Sequence, residues 1–162
     1  MNTLEAVKVF HETFNHPVET KPTLIDEARL ATRIQWIIDE LEELKQALAN
    51  KDIVEVADAL ADARYFLDGT VVECGMVDLF PSIFAEVQRS NMSKACISKE
   101  EAELTVAKYE REGVECGYIA KEIYDVNSLD YKTIYIIVRQ PDGKTLKSIN
   151  YSPANLSFVK EY

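Results

Sequence analysis

Two stretches decide how this chain folds. They are Ile37-Ile38-Asp39-Glu40-Leu41-Glu42-Glu43-Leu44 and, separated from Glu43 by eleven residues, Glu55-Val56-Ala57-Asp58-Ala59-Leu60-Ala61-Asp62. At about 100° per residue on a helix, Asp39, Glu40 and Glu43 share one face, opposite Ile37, Leu41 and Leu44. Glu55, Asp58 and Asp62 likewise share a face. The first stretch lies in a helix expected from about Asp26 to Ala49. Its apolar positions Ile34, Ile37, Leu41, Leu44 and Leu48 form a heptad-like seam that calls for partner helices. Asn50-Lys51-Asp52 breaks it, and Asp52 is placed to cap the next helix. That helix carries Val56, Leu60, Ala63 and Leu67 along one side and ends at Cys74-Gly75. A turn this short makes the two helices antiparallel neighbours. Glu40-x-x-Glu43 can then stand opposite Glu55-x-x-Asp58.

Working outward, Leu4, Val7, Phe10 and Phe14 recur at helical spacing, which predicts a helix over residues 3–14. Asn15-His16-Pro17 stops it, and the chain to Pro22 reads as a loop. A helix is expected over 78–89, with Pro81 tolerable in its first turn. Ser98-Lys99-Glu100-Glu101 is a capping-box pattern that opens a helix to Arg111. Then the period changes. Residues 118–124 and 133–138 are β-branched and aromatic, as strands prefer. Gln140-Pro141-Asp142-Gly143 is a turn, and Lys144–Ile149 can supply a third strand. The expected fold is therefore mainly α. An antiparallel helical bundle over 1–114 carries a small antiparallel β meander as an appendage, 115–162, packed on the same domain.

Composition narrows the function. The chain has 162 residues, 47% hydrophobic and 28% charged, which suits a globular protein and not a disordered one. No apolar run reaches the roughly 18 residues of a membrane span. Met1-Asn2-Thr3-Leu4-Glu5 lacks the basic start and apolar core of a signal peptide. Cys74, Cys96 and Cys116 form no CxxC pair, which points to a reduced, cytoplasmic setting. The net charge of −10 disfavours nucleic-acid polymers and anionic membranes as partners. Residues 39–62 hold eight acids against two bases, so most of that excess is local.

A solvated face would interleave lysines with these acids. Instead Glu40/Glu43 and Glu55/Asp58 are like-charge pairs three apart, and Asp39/Glu43 and Asp58/Asp62 are pairs four apart. Each costs a few tenths of a kcal/mol, ~0.2–0.5. Ala47 and Ala59 are expected to leave the acids sterically open. A hard divalent cation among the carboxylates would turn the repulsion into attraction. Oxygen donors without His or Cys suit Mg²⁺ or Mn²⁺ and not zinc.

Glu40-x-x-Glu43 followed by Glu55-x-x-Asp58 resembles the ExxE…ExxD signature of the all-α nucleoside triphosphate pyrophosphohydrolases. This superfamily takes in MazG-like proteins, dimeric dUTPases and phosphoribosyl-ATP pyrophosphohydrolases. Ser90-Asn91-Met92-Ser93-Lys94 and Asp142-Gly143-Lys144…Tyr151-Ser152-Pro153 resemble the phosphoribosyl-ATP-pyrophosphohydrolase-like branch. The likeness covers 4–94 well and 141–158 moderately, while 95–140 looks like an insertion. The resemblance implies a MazG-like bundle and Mg²⁺-dependent cleavage between the α- and β-phosphates of a nucleoside triphosphate or related nucleotide. Carried onto this chain, it makes Glu40, Glu43, Glu55 and Asp58 metal ligands. Asp39 and Glu40 become the catalytic carboxylates, and family members often assemble as homodimers or homotetramers.

Further residues carry two readings each. Arg33 can hold a phosphate or pair with the neighbouring acids. Trp36 can stack on a base or fill the core. Asp62 is an additional or outer-sphere metal ligand, or a solvated acid. Asn91 and Lys94 are expected to contact base, sugar or phosphate, against a loop cap and a surface lysine. His16 is a loop histidine within reach of a substrate-contacting role. Lys144, Lys147 and Tyr151 can close over a nucleotide or simply build a hairpin. Two other functions stay open beside the enzyme. One is a non-catalytic nucleotide-binding or oligomeric assembly module on the same scaffold. The other is a structural bundle stabilised by divalent ions.

Overall fold

The computed structural model describes residues 2–125 and 129–161. The chain divides into two compact units, 1–82 with 157–162, and 83–156.

The first unit is built from three helices: α1 (Thr3–Thr13), α2 (Glu27–Asn50) and α3 (Ile53–Glu73). Asn2 caps α1 and Asp26 caps α2, each side chain accepting a backbone N–H of the first turn. Lys51 takes a left-handed conformation, φ 58°, to end α2. Asp52 then caps α3 by accepting from Val54 and Glu55 N–H. The two-residue link forces α2 and α3 to lie antiparallel. Their register shows in side-chain pairs that run down the interface: Arg29 with Glu73, Arg33 with Thr70, and Trp36 with Phe66. Ala47, Ala59 and Ala63 are buried. These alanines bring the helices close together, so they do not clear space around the acids as expected. α1 packs on α3, with Leu4 and Val7 buried. Gly75, at φ +67°, closes α3 where any Cβ would run into the Lys21 carbonyl.

The second unit begins within α4 (Phe80–Met92) and continues through α5 (Lys99–Arg111) to the strands β1 (Cys116–Asp125) and β2 (Asp130–Arg139). Ser98 caps α5 through Glu101 N–H. The Glu101 carboxylate reaches back to Ile97 N–H, one residue beyond the expected box partner. β1 and β2 pair antiparallel from Cys116↔Arg139 to Asp125↔Asp130. α5 packs on both strands around Cys96, Ala102 and Ile137. The expected third strand reduces to one bridge, Val138↔Thr145. Pairing stops there because Ser148 N–H turns away to the Lys94 carbonyl. The meander is a two-stranded hairpin, and the fold is mainly α as expected. Among the described residues no helix is long and apolar enough to cross a membrane.

Candidate active site

The register set by Arg29–Glu73, Arg33–Thr70 and Trp36–Phe66 continues toward the helix turn. It brings Glu40 level with Asp62 and Glu43 level with Ala59. Glu40 is half-buried, while Asp39, Glu43, Glu55, Asp58 and Asp62 are exposed. The Glu40 carboxyl is held above the usual glutamate range. Partial burial is the larger cause, and the charges of Glu43, Asp62, Asp58 and Asp39 add to it. Glu40 is therefore the centre of the acid cluster. Asp39 accepts a hydrogen bond from Gln35 Nε2 at 2.7 Å. Asp62 belongs to the Glu40 neighbourhood, whereas Glu55 is not among the charges acting on Glu40. Glu55 stands nearer the helix turn, level with Ala47, so Glu40-x-x-Glu43 faces Asp58-x-x-x-Asp62 more directly than Glu55-x-x-Asp58.

Among the described residues no three His, Cys, Asp or Glu side chains converge into a ready-made ion cage. The donors nevertheless fit a hard cation by chemistry. They are carboxylate oxygens only, most of them exposed and free to turn, with mutual repulsion that a cation would offset. Glu40, Glu43, Asp58 and Asp62 are the side chains that would hold it, with Glu55 at the margin.

Arg33 departs from expectation. Its side chain is 4% exposed. Nη2 donates to the Phe66 carbonyl at 2.7 Å, Nη1 to Glu73 Oε1 at 3.2 Å and Nε to Thr70 Oγ1 at 3.3 Å. Arg33 lies in the helical register of Ala47, toward α3, so its charge is spent inside the helix pair and not on a phosphate. Gly69 makes room for it, since a Cβ there would collide with the guanidinium. The sequence reading missed the counter-charge, Glu73, which is fully buried and also binds Arg29. A signal was present: Glu73 continues the α2-facing series Ala59, Ala63, Phe66 and Thr70.

Trp36 is half-buried, 5.5 Å from the Phe66 ring, with the Arg29 and Arg33 guanidinium carbons 5.2 and 5.4 Å from its centroid. It helps line a cavity of about 200 Å³ with Phe10, His11, His16, Arg33, Tyr65 and Phe66. His16 stacks on Phe10 at 5.8 Å and 13°. His11 Nδ1–H donates to the Pro17 carbonyl at 2.9 Å, which ties the loop after α1 to the helix. Burial lowers the His11 pKa, so the ring is neutral at pH 7. The aromatic cavity lies one helical turn from Glu40 on α2 and one turn from Asp62 on α3. Periodicity showed Phe10 as an apolar position but could not show that the 15–17 loop folds back over it.

The sequence profile of the phosphoribosyl-ATP pyrophosphohydrolase family matches residues 7–91, just over half of the chain. The chain belongs to that family. It therefore sits in the MazG-like nucleoside triphosphate pyrophosphohydrolase superfamily. The matched span takes in the aromatic cavity, both acidic helices and α4 as far as Asn91. No curated protein gives a significant match to the chain. Lys94 and everything after it lie outside the pyrophosphohydrolase match. In the second unit Lys94 Nζ donates to Asn91 Oδ1 at 2.8 Å, so these two expected substrate contacts touch each other.

Proposed function

We propose that this chain is a Mg²⁺- or Mn²⁺-dependent nucleotide pyrophosphohydrolase that cleaves a nucleoside triphosphate to the monophosphate and pyrophosphate. The observation that carries the reading is the acid cluster centred on Glu40, one turn from an aromatic cavity large enough for a base. The cavity offers stacking surfaces, Trp36 and Phe10 among them, and so takes the base without demanding one hydrogen-bond pattern. The phosphate chain then runs toward the acids. A divalent cation there would offset its charge and make water a better nucleophile. Glu40 binds protons more tightly than a free glutamate, so it is the carboxylate best suited to accept the proton of the attacking water. Asp39, held by Gln35, orients that water. Free cysteines at 74, 96 and 116 agree with a cytoplasmic setting.

A panel of nucleotides with Mg²⁺ or Mn²⁺, in water labelled with heavy oxygen, tests this. Label should enter the monophosphate, and pyrophosphate should leave intact. Orthophosphate released first, with a diphosphate nucleotide, would overturn the reading. Trp36→Ala should weaken nucleotide binding by about 1–3 kcal/mol, as loss of one base stack does. It should leave the pyrophosphate product unchanged.

The partner we propose for the first unit is a second copy of it. Ile34, Leu41 and Leu48 on α2 repeat every seven residues and are 47%, 50% and 60% exposed. Leu67, Leu60 and Ile53 on α3 do the same at 50%, 53% and 76%. In the observed register each residue of the first set lies level with one of the second, on the side of the hairpin away from the acids. Such a face matches itself under two-fold rotation and would build a four-helix bundle. Leu41→Glu with Leu60→Glu should turn the species seen in sedimentation into a monomer. A parent that already sediments as a monomer at high micromolar concentration would refute this assembly.

A further inference from the structure

We propose that the outer edge of β1 is a self-pairing surface, on which the same strand of a second copy of this chain docks antiparallel to make a four-stranded sheet. The two edges of the hairpin are unlike. β2 is covered on its outer side: Arg139 N–H donates to the Lys144 carbonyl, Leu146 N–H to the Ile137 carbonyl, and Tyr135 and Cys96 exchange both groups, all at 2.9 Å. Backbone bonding alternates along an antiparallel pair, so β2 residues that turn outward stand opposite β1 residues that also turn outward. By the register of the hairpin these are Cys116, Tyr118 and Ala120, and the alternation continues to Glu122. Among the described residues no strand pairs with this edge. Ala120, Lys121 and Glu122 are exposed, and Ile119 is 58% exposed.

Edge strands are commonly guarded by proline, a bulge, very short length or a lysine. β1 is ten residues long, pairs without interruption and holds no proline. It does carry Lys121, and this lysine selects the register. A two-fold axis normal to the sheet makes each face of one copy continuous with the same face of the other. An axis at Lys121 sets lysine on lysine, and an axis at Ala120 makes the two lysines diagonal neighbours. An axis at Ile119 avoids both. Lys121 then lies opposite the second copy's Gly117, which has no side chain to obstruct it, and diagonal to the second copy's Glu115. Ile119 meets the second copy's Ile119 in a non-hydrogen-bonded pair, the closer kind. Each has Ile136 beside it on β2, so four isoleucines line up across the sheet. Tyr118 exchanges backbone bonds with the second copy's Ala120, and Cys116 with its Glu122. An axis at Tyr118 would set Ile119 against glycine and leave it uncovered. The lysine and the exposed isoleucine thus both find partners within the strand's own sequence, which favours a second copy over a foreign peptide. β1 lies outside the family match, so this surface is an addition to the matched fold.

One strand edge buries less than the roughly 1,200 Å² of a stable interface, so the pairing is weak by itself. It strengthens between copies already joined through the helical face of the first unit, where it links two dimers. Disulfide trapping on the full chain reads the edge without requiring a stable dimer. Under a mild thiol oxidant Ile119→Cys should form a covalent dimer roughly tenfold faster than Lys121→Cys, because only the Ile119 pair has disulfide spacing. The same result in the Leu41→Glu, Leu60→Glu background separates this edge from the helical face. Two further variants are read by sedimentation at high micromolar concentration. Ala120→Pro removes an outward N–H and no bond to β2. Ile119→Lys changes an exposed side chain and places two ammonium groups at the axis. Each should halve the mass of the parent's largest species while keeping its circular dichroism spectrum. Ile119→Cys that cross-links no faster than Lys121→Cys, or stays monomeric as it would if the edge served a foreign peptide, overturns the inference. So does a parent species whose mass Ile119→Lys leaves unchanged.

Discussion

Glu40→Gln is expected to abolish pyrophosphate release, by about 10²–10³-fold or more, in a protein that melts no lower than the parent. The two halves of that result come from one arrangement. Glu40 is half-buried and has Glu43, Asp62, Asp58 and Asp39 around it, so its charged form is disfavoured in the fold. A carboxyl whose folded pKa is raised contributes a penalty above that pKa, and the penalty fades as pH falls and the group takes its proton. At pH 7 the amide removes the charge at nearly constant volume and helix propensity. It should add about 0.3–0.5 kcal/mol to stability, the scale of relieved like-charge pairs on a helix. The gain should shrink as pH falls and the parent takes its proton at this position. Activity moves the other way because charge stabilisation in the transition state is commonly worth about 10²–10³ in rate per group. Millimolar Mg²⁺ or Mn²⁺ should raise the parent's melting temperature by binding the native state, and should raise that of Glu40→Gln less. A variant that melts lower and keeps full turnover per folded molecule would make Glu40 structural and end the proposed mechanism.

The acids were legible in the sequence because their signal is local. Like charges three and four apart conflict with a simple solvated face, and the Asp52 cap fixes where the second helix starts. The helices themselves were legible from apolar spacing and from caps, Asp52 and Ser98 included. What stayed hidden depends on register between helices. Arg33 and Glu40 belong to the same helix, and nothing in their spacing says that one turns into α3 while the other borders solvent. Glu55 fits the motif, yet the register displaces it toward the turn, and Asp62 takes the place nearer Glu40. The third strand failed for a related reason. Lys144–Ile149 has fair strand composition, but its Ser148 N–H finds a partner on the chain after α4, and pairing ends there.

Glu73→Gln should be the most damaging conservative change in the first unit, at about 3–5 kcal/mol. Glu73 is fully buried, and burial by itself would raise its pKa. The Arg29 hydrogen bonds, then the charges of Arg33 and Arg29, more than offset this and hold it below the usual range. Arg29 Nε and Nη2 reach the two carboxylate oxygens at 2.8 and 2.6 Å, and Arg33 Nη1 reaches one at 3.2 Å. The amide of glutamine keeps the volume but presents an N–H₂ to guanidinium groups and removes the only buried counter-charge for Arg33 among the described residues. Arg29 is partly exposed and can be hydrated, whereas Arg33 cannot, so the cost falls on Arg33. The melting temperature should drop on the order of 10 °C. Arg33→Met combined with Glu73→Leu should recover most of that loss, because the penalty arises from an unpaired ion and not from lost contact area. The pH dependence has the opposite sign to that of Glu40. A depressed folded pKa gives stability that is present above the unfolded value, near 4.3, and is lost as pH falls through the folded one. Parent stability should thus fall below about pH 4 in proportion to this carboxylate, and the Arg33→Met, Glu73→Leu protein should lose that part of its acid sensitivity. Urea titrations of the three proteins at pH 7 and pH 3 decide the matter. A Glu73→Gln protein as stable as the parent at pH 7 would show that Arg33 keeps its charge satisfied through Phe66 and Thr70 alone.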